Sequence, residues 1–141
     1  MKTRWLLLLA SIAVTCHGWA EEMKPSEPKV KEALQSIVQK QLAAFRKNDF
    51  AAAYVFADNG IKAQFPLEAF EKMVREGYPL IAKSVAATCG LTFDNGDEGV
   101  VQVRIEGEKK KIGTFQYQLK RTGETWRIMG VTELQSEGIE V

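Results

Sequence analysis

The sequence predicts an α+β domain in which N-terminal helices cover one face of a four-stranded antiparallel sheet. Three observations predict it. Apolar residues recur at steps of three and four over residues 29–76, the period falls to two after Pro79, and breaks rich in Gly, Asn and Asp divide the second half into four alternating stretches. Helices first and strands second, each with one apolar side, bury those sides by laying the helices on the sheet.

The first helix is expected over residues 29–47, where Val30, Leu34, Ile37, Val38, Leu42 and Phe45 form one stripe and Glu32, Gln35 and Gln39 fall elsewhere. Ser26 is placed to cap it, with Pro28 near the first turn. Asn48-Asp49 interrupts the pattern. Asp49 is positioned to cap a second helix over residues 50–57, which stops at Asp58-Asn59-Gly60. A short segment, residues 61–65, leads to Pro66. A third helix over residues 67–76 has Phe70, Met73 and Val74 as its apolar side, Gly77 as its C-terminal cap, and Tyr78-Pro79 to turn the chain away.

Four strands are expected over residues 84–93, 99–106, 113–120 and 125–134. The separators are Asp94-Asn95-Gly96-Asp97, the segment 107–111 and Thr122-Gly123-Glu124, which suit the tight turns of a meander. One parity is apolar: Val85, Ala87, Cys89, Leu91 and Phe93, then Val101, Val103 and Ile105, then Phe115, Tyr117 and Leu119, then Trp126 and Ile128. The other carries Thr92, Gln102, Arg104, Thr114, Gln116, Gln118, Lys120 and Arg127, so one sheet face is expected covered and the other wet. On the wet face Val100, Met129 and Val131 make a small apolar patch, which makes a homodimer possible.

The ends of the chain have a different character. Lys2 and Arg4 precede ten residues, 5–14, with no charge, and Gly18 and Ala20 supply the small residues of a cleavage site, so residues 1–20 read as a signal peptide. The apolar run falls short of the roughly 18 to 20 residues of a stable membrane span, and no stable membrane insertion is expected after cleavage near Ala20. The mature protein is expected to be periplasmic or secreted. Lipidation at Cys16 fits poorly, because Ala13 and Thr15 replace the leucine and small residue such signals carry. Residues 21–28 read as a flexible leader, 29–134 as one domain and 135–141 as a loose tail.

Cleavage removes 20 of 141 residues, among them Lys2, Arg4, His17 and Cys16. With 17 basic against 18 acidic residues the remainder is near neutral, which offers no footprint for nucleic acid. Loss of the only histidine excludes Ser-His-Asp and Cys-His catalysis and the usual zinc sites. Cys89, the lone cysteine left, reads as a buried, inert thiol. Asp94, Asp97 and Glu98 surround Asn95-Gly96 without calcium-loop spacing, and Lys109-Lys110-Lys111 suits a solvated turn, so neither metal nor cofactor is expected.

Several of these residues together resemble the bacterial "domain of unknown function 4864" family: Gln41-Leu42-Ala43-Ala44-Phe45 with Asp49 and Ala52-Ala53, Phe56-Ala57, Ile61 with Phe65, Phe70 with Met73-Val74, Tyr78-Pro79, and Trp126-Arg127-Ile128. The resemblance covers roughly residues 30–134. It implies a fold similar to the nuclear-transport-factor-2-like, or cystatin-like, cone, in which a curved antiparallel sheet wraps a long helix. That superfamily holds isomerases, dehydratases and hydrolases as well as noncatalytic proteins, so the likeness selects no activity. Its enzymes commonly place an aspartate, tyrosine or histidine inside the cone, whereas the inward parity here carries Tyr117 but no acid.

The polar candidates for a pocket between helices and sheet are Tyr54, Asp58, Tyr78, Tyr117 and Trp126. The favoured expectation is a noncatalytic exported domain that binds a small apolar ligand or a protein partner. Two alternatives accompany it. One is an enzyme of isomerase, dehydratase or hydrolase type using Asp58 and a tyrosine, although Asp49 and Asp58 each already serve a helix end. The other is a self-assembling structural module.

Overall fold

A computed structural model of the protein describes residues 22–134. The expected export signal and the C-terminal tail lie outside the described residues. Within the described residues the first element is a two-residue strand β1 (Lys24–Pro25), followed by α1 (Pro28–Arg46), α2 (Phe50–Val55), α3 (Asn59–Gln64), α4 (Leu67–Gly77) and α5 (Pro79–Ala82). Strands β2 (Ala86–Asp94), β3 (Glu98–Glu106), β4 (Ile112–Thr122) and β5 (Thr125–Leu134) follow, paired antiparallel in the order β1-β2-β3-β4-β5.

The sheet therefore has five strands rather than the expected four. The additional strand has no alternation for a sequence pattern to reveal, since it consists of one lysine and one proline. Pairing holds it: Lys24 and Pro25 lie opposite Asp94 and Phe93, Ser26 N–H donates to Thr92 O at 3.0 Å, and Ser26 Oγ donates to Asp94 Oδ1 at 2.6 Å. Ser26 is thus committed to the sheet edge and does not cap α1, whose N-cap Glu27 makes no side-chain capping bond.

The helices follow their sequence signals with two refinements. Asp49 caps α2 by accepting from Ala52 N–H at 3.0 Å. Asp58, expected to end a helix, instead begins one: its carboxylate accepts from Ile61 N–H at 3.0 Å at the start of α3. Tyr78-Pro79 is a corner with a single helical turn behind it, α5, which seats Ile81 and Ala82 in the core.

The core lies between α1 and the inner sheet face. Leu34, Val38 and Leu42 from α1 are fully buried against Val101, Val103 and Ile105 of β3 and Phe115, Tyr117 and Leu119 of β4. Each strand contributes alternate residues, as period-two side-chain geometry demands.

Two β-bulges break that alternation. In β2, Cys89 pairs with Val103 and Thr92 with Val101, so Gly90 and Leu91 together face the single residue Gln102. Beyond the bulge the parity reverses: Leu91 is 60% exposed, whereas Thr92 is buried. Leu91 thus departs from the expected apolar face and Thr92 from the wet one. In β5, Leu119 pairs with Ile128 and Gln118 with Gly130, leaving Met129 as the extra residue. Val131 then pairs with Tyr117 and packs against the core, so the expected outer patch of Val100, Met129 and Val131 is broken up. One inserted residue re-aims everything after it, which is the usual consequence of a bulge.

Candidate functional site

Where α1, α4 and α5 diverge from the sheet, a cavity of about 370 Å³ opens between them. Phe45 and Gln41 of α1 form one wall, Phe70, Met73 and Val74 of α4 another. Tyr117 forms the sheet side, together with Met129 and Val131 delivered by the β5 bulge. The volume lies at the lower end of the roughly 300–1,000 Å³ of small-molecule sites. None of the described lining residues is charged.

The aromatic wall is backed by ring contacts between helices, one stacked and two tilted. Phe45 lies 5.2 Å from Phe50 and 6.2 Å from Phe70 between ring centroids, and Tyr54 is 5.0 Å from Phe70. Such pairs add about 0.5–1.5 kcal/mol each beyond the area they bury. Arg75 covers the outer edge of this cluster, its guanidinium carbon 4.3 Å from the Phe50 ring centroid.

Four of the described lining residues have polar side chains, Gln41, Gln64, Tyr78 and Tyr117, and two of these are engaged within the protein. Gln41, itself buried, donates through Nε2 to Ala53 O at 3.1 Å. Tyr78 Oη donates to Val131 O at 3.2 Å, tying the α4–α5 corner to β5. Tyr117 differs. Its side chain is fully buried, and its Oη has no hydrogen-bond partner among the described residues. Burial pushes its phenol well above the ordinary range, with Cys89 and Tyr78 adding to the effect, so the group is a neutral O–H donor at any physiological pH. An unsatisfied buried hydroxyl carries a desolvation cost of about 1–3 kcal/mol and calls for an explanation.

Of the five candidate residues, the structure brings Tyr78 and Tyr117 together at the cavity. Tyr54, Asp58 and Trp126 are not among its described lining residues. Tyr54 Oη donates to Phe65 O at 2.6 Å and braces the end of α3. Asp58 is held at the helix start, and its own N–H donates to Ile128 O at 2.9 Å. Trp126 is buried in the core on β5. Met73 reads from sequence only as helix core, and Met129 and Val131 read as outward-facing. The signal that marks the bulges is an isolated glycine inside each strand, Gly90 in β2 and Gly130 in β5.

A larger hollow of about 620 Å³ runs along the sheet edge beside Glu22, Lys24, Glu27 and Asp94. Its walls are charged, and neither buried unpartnered side-chain atom, Ser84 Oγ or Tyr117 Oη, belongs to its lining. The smaller, apolar cavity is accordingly the candidate site. Among the described residues no cluster of His, Cys, Asp and Glu could hold a metal ion, and no helix is long and apolar enough to cross a membrane.

A family model described as domain of unknown function (DUF4864) matches residues 27–141. The chain belongs to that family. Curated proteins give no match to the sequence. The DUF4864 match takes in every helix and the strands β2 to β5, hence the whole wall of the cavity.

Proposed function

We propose that this DUF4864 protein is an exported, noncatalytic binding domain that holds a small apolar ligand in the cavity between its helices and its sheet. The observation that carries this reading is the apolar cavity of about 370 Å³ whose described lining includes Phe45, Phe70, Met73, Tyr117 and Met129 and no charged residue. Cavities of that composition gain most of their affinity from apolar burial and their orientation from a small number of polar groups. Asp58, the acid of the alternative enzyme reading, has its carboxylate occupied at the start of α3, so nothing recommends that reading over binding. Lys2 and Arg4 ahead of the uncharged run 5–14 support export.

Methyl NMR of the purified protein during titration with small apolar compounds tests the binding reading. Shifts confined to Met73 and Met129, which line the cavity, are expected. Binding that moves neither methyl overturns it. Mass spectrometry of the protein recovered outside the cytoplasm tests export: a mass beginning near Glu21 is expected, and an intact N-terminus removes that part of the proposal.

A further inference from the structure

A hollow of about 530 Å³ lies between α5 and the turn that joins β3 to β4, apart from the cavity described above. We infer that residues 135–141 of the chain dock in this hollow, setting Glu137 and Glu140 on its lysines and Ile139 on its apolar side chains, and so clamp α5. The inference does not depend on the proposed ligand.

The lining of the hollow is part apolar and part basic. Leu80 of α5 fills the space that Gly107 and Gly113 leave by lacking a Cβ, and Ile112, also in the lining, is 47% exposed. Lys83, Lys109 and Lys111 line it and are exposed, against one acid, Glu108. The ion pairs among the described residues are Arg75–Glu71 and Arg104–Glu106, so none of the three lysines has a described carboxylate partner, Glu108 included. The complement of such a surface is a segment that combines acids with an aliphatic side chain and carries no base. Residues 135–141, Gln-Ser-Glu-Gly-Ile-Glu-Val, have that composition.

Strand β5 delivers this segment to the matching end of the sheet. Leu134 stands opposite Thr114, two residues from Ile112 on the same strand. Continued in that register, Gln135 would stand against Gly113 and Ser136 against Ile112, which brings Glu137 level with the β3–β4 turn. Five residues remain, an extended reach of about 17 Å, and Gly138 allows the backbone to turn onto the hollow. Exposed ion pairs are individually weak. The two-residue tether offsets this by holding the acids near the lysines at an effective concentration on the order of millimolar, which favours this segment over an untethered partner. The DUF4864 match runs to residue 141 and so includes the segment. Ile81 of α5 lines the cavity while Leu80 lines the hollow, so a docked segment braces one cavity wall from behind.

The discriminating experiment is methyl NMR of the purified protein labelled at isoleucine and leucine, in low-salt buffer. Nuclear Overhauser contacts from the Ile139 methyls to those of Leu80 or Ile112 are expected in the wild type. They should be lost when Glu137→Lys and Glu140→Lys are introduced together, and lost again when Lys83→Glu, Lys109→Glu and Lys111→Glu are. Combining the two sets restores opposite charges and should restore the contacts. The three lysines are exposed, so these variants are expected to fold, and unchanged Leu34 and Leu42 core methyl shifts check that they do. Absence of the contacts in the wild type overturns the docking. Contacts that survive either reversal, or fail to return in the combined variant, overturn the pairing of Glu137 and Glu140 with the lysines. Contacts that arise only between differently labelled molecules in a mixed sample make the occupant a second copy and overturn the assignment within one chain.

Discussion

The two ends of the space between α1 and the sheet are made of similar residue types and come out differently. At one end α1 presses onto the sheet at Gly99, where an added Cβ would lie 2.9 Å from Leu34 Cδ1. Leu34 is fully buried there and no room is left. At the other end Phe45, Met73, Tyr117 and Met129 stand around a cavity, and α3, which contributes Ile61 and Gln64 to its rim, has no buried residue of its own. The first end is held by close packing of the core. The second is held by aromatic contacts among Phe45, Phe70 and Tyr54 together with hydrogen bonds at helix ends, where Asp58 accepts from Ile61 N–H, Tyr54 donates to Phe65 O and Tyr78 donates to Val131 O. Close packing and open space thus fall at different ends of one domain, and the proposed binding function would use the open one.

The largest effects should come from the packed end. Leu34→Ala leaves a void where the helix meets the sheet and is expected to cost about 2–5 kcal/mol in urea unfolding. Gly99→Val adds volume at the point of closest approach and is expected to cost about 1–3 kcal/mol. If both variants unfold at the wild-type midpoint, the packed end does not carry the fold and the contrast fails.

Tyr117→Phe should have the opposite sign. It removes the unpaired hydroxyl while keeping the ring, so the ligand-free protein is expected to gain about 1 kcal/mol, seen as a higher thermal midpoint. A loss of stability would mean that the hydroxyl has a partner after all, and the cavity wall would need another account.

Much of this division was legible in the sequence, and the exceptions share a cause. Leu34, Val38 and Leu42 on one helical stripe, and Val101, Val103 and Ile105 on one strand parity, place the packed end without a structure. Tyr78 and Tyr117 were visible as aromatic residues on or beside the apolar face. The bulges were hinted at by Gly90 and Gly130 but not decided, since Gly99 and Gly113 also lie in strands without one; a bulge is defined by which residues of the partner strand stand opposite, as Gln102 stands opposite both Gly90 and Leu91. Strand β1 escaped for the same reason: Lys24 and Pro25 become a strand only through Asp94 and Phe93, some seventy residues away in sequence. Period and propensity describe one segment at a time, and the cavity wall depends on register between segments. Asp58 shows a milder version. Its capping chemistry was evident, but the helix it caps, α3, has no buried residue to give it an apolar stripe.

A stability effect of similar size bears most directly on how the open end is built. Asp58→Ala removes the cap of α3 and is expected to cost about 1 kcal/mol globally. Hydrogen exchange should show the loss concentrated in residues 59–64, because an element without buried residues opens locally before the domain unfolds. Ligand affinity should fall with it, since Ile61 and Gln64 belong to the cavity rim. Asp58→Asn separates this positional role from acid–base chemistry: an asparagine caps a helix as well as an aspartate does, so it should restore both protection and affinity, whereas an amide cannot exchange a proton as a carboxylate does. Restoration by asparagine keeps the open end a binding device held by its caps. If Asp58→Asn is as impaired as Asp58→Ala while residues 59–64 keep their protection, the carboxylate has a chemical role and the enzyme reading displaces the binding one.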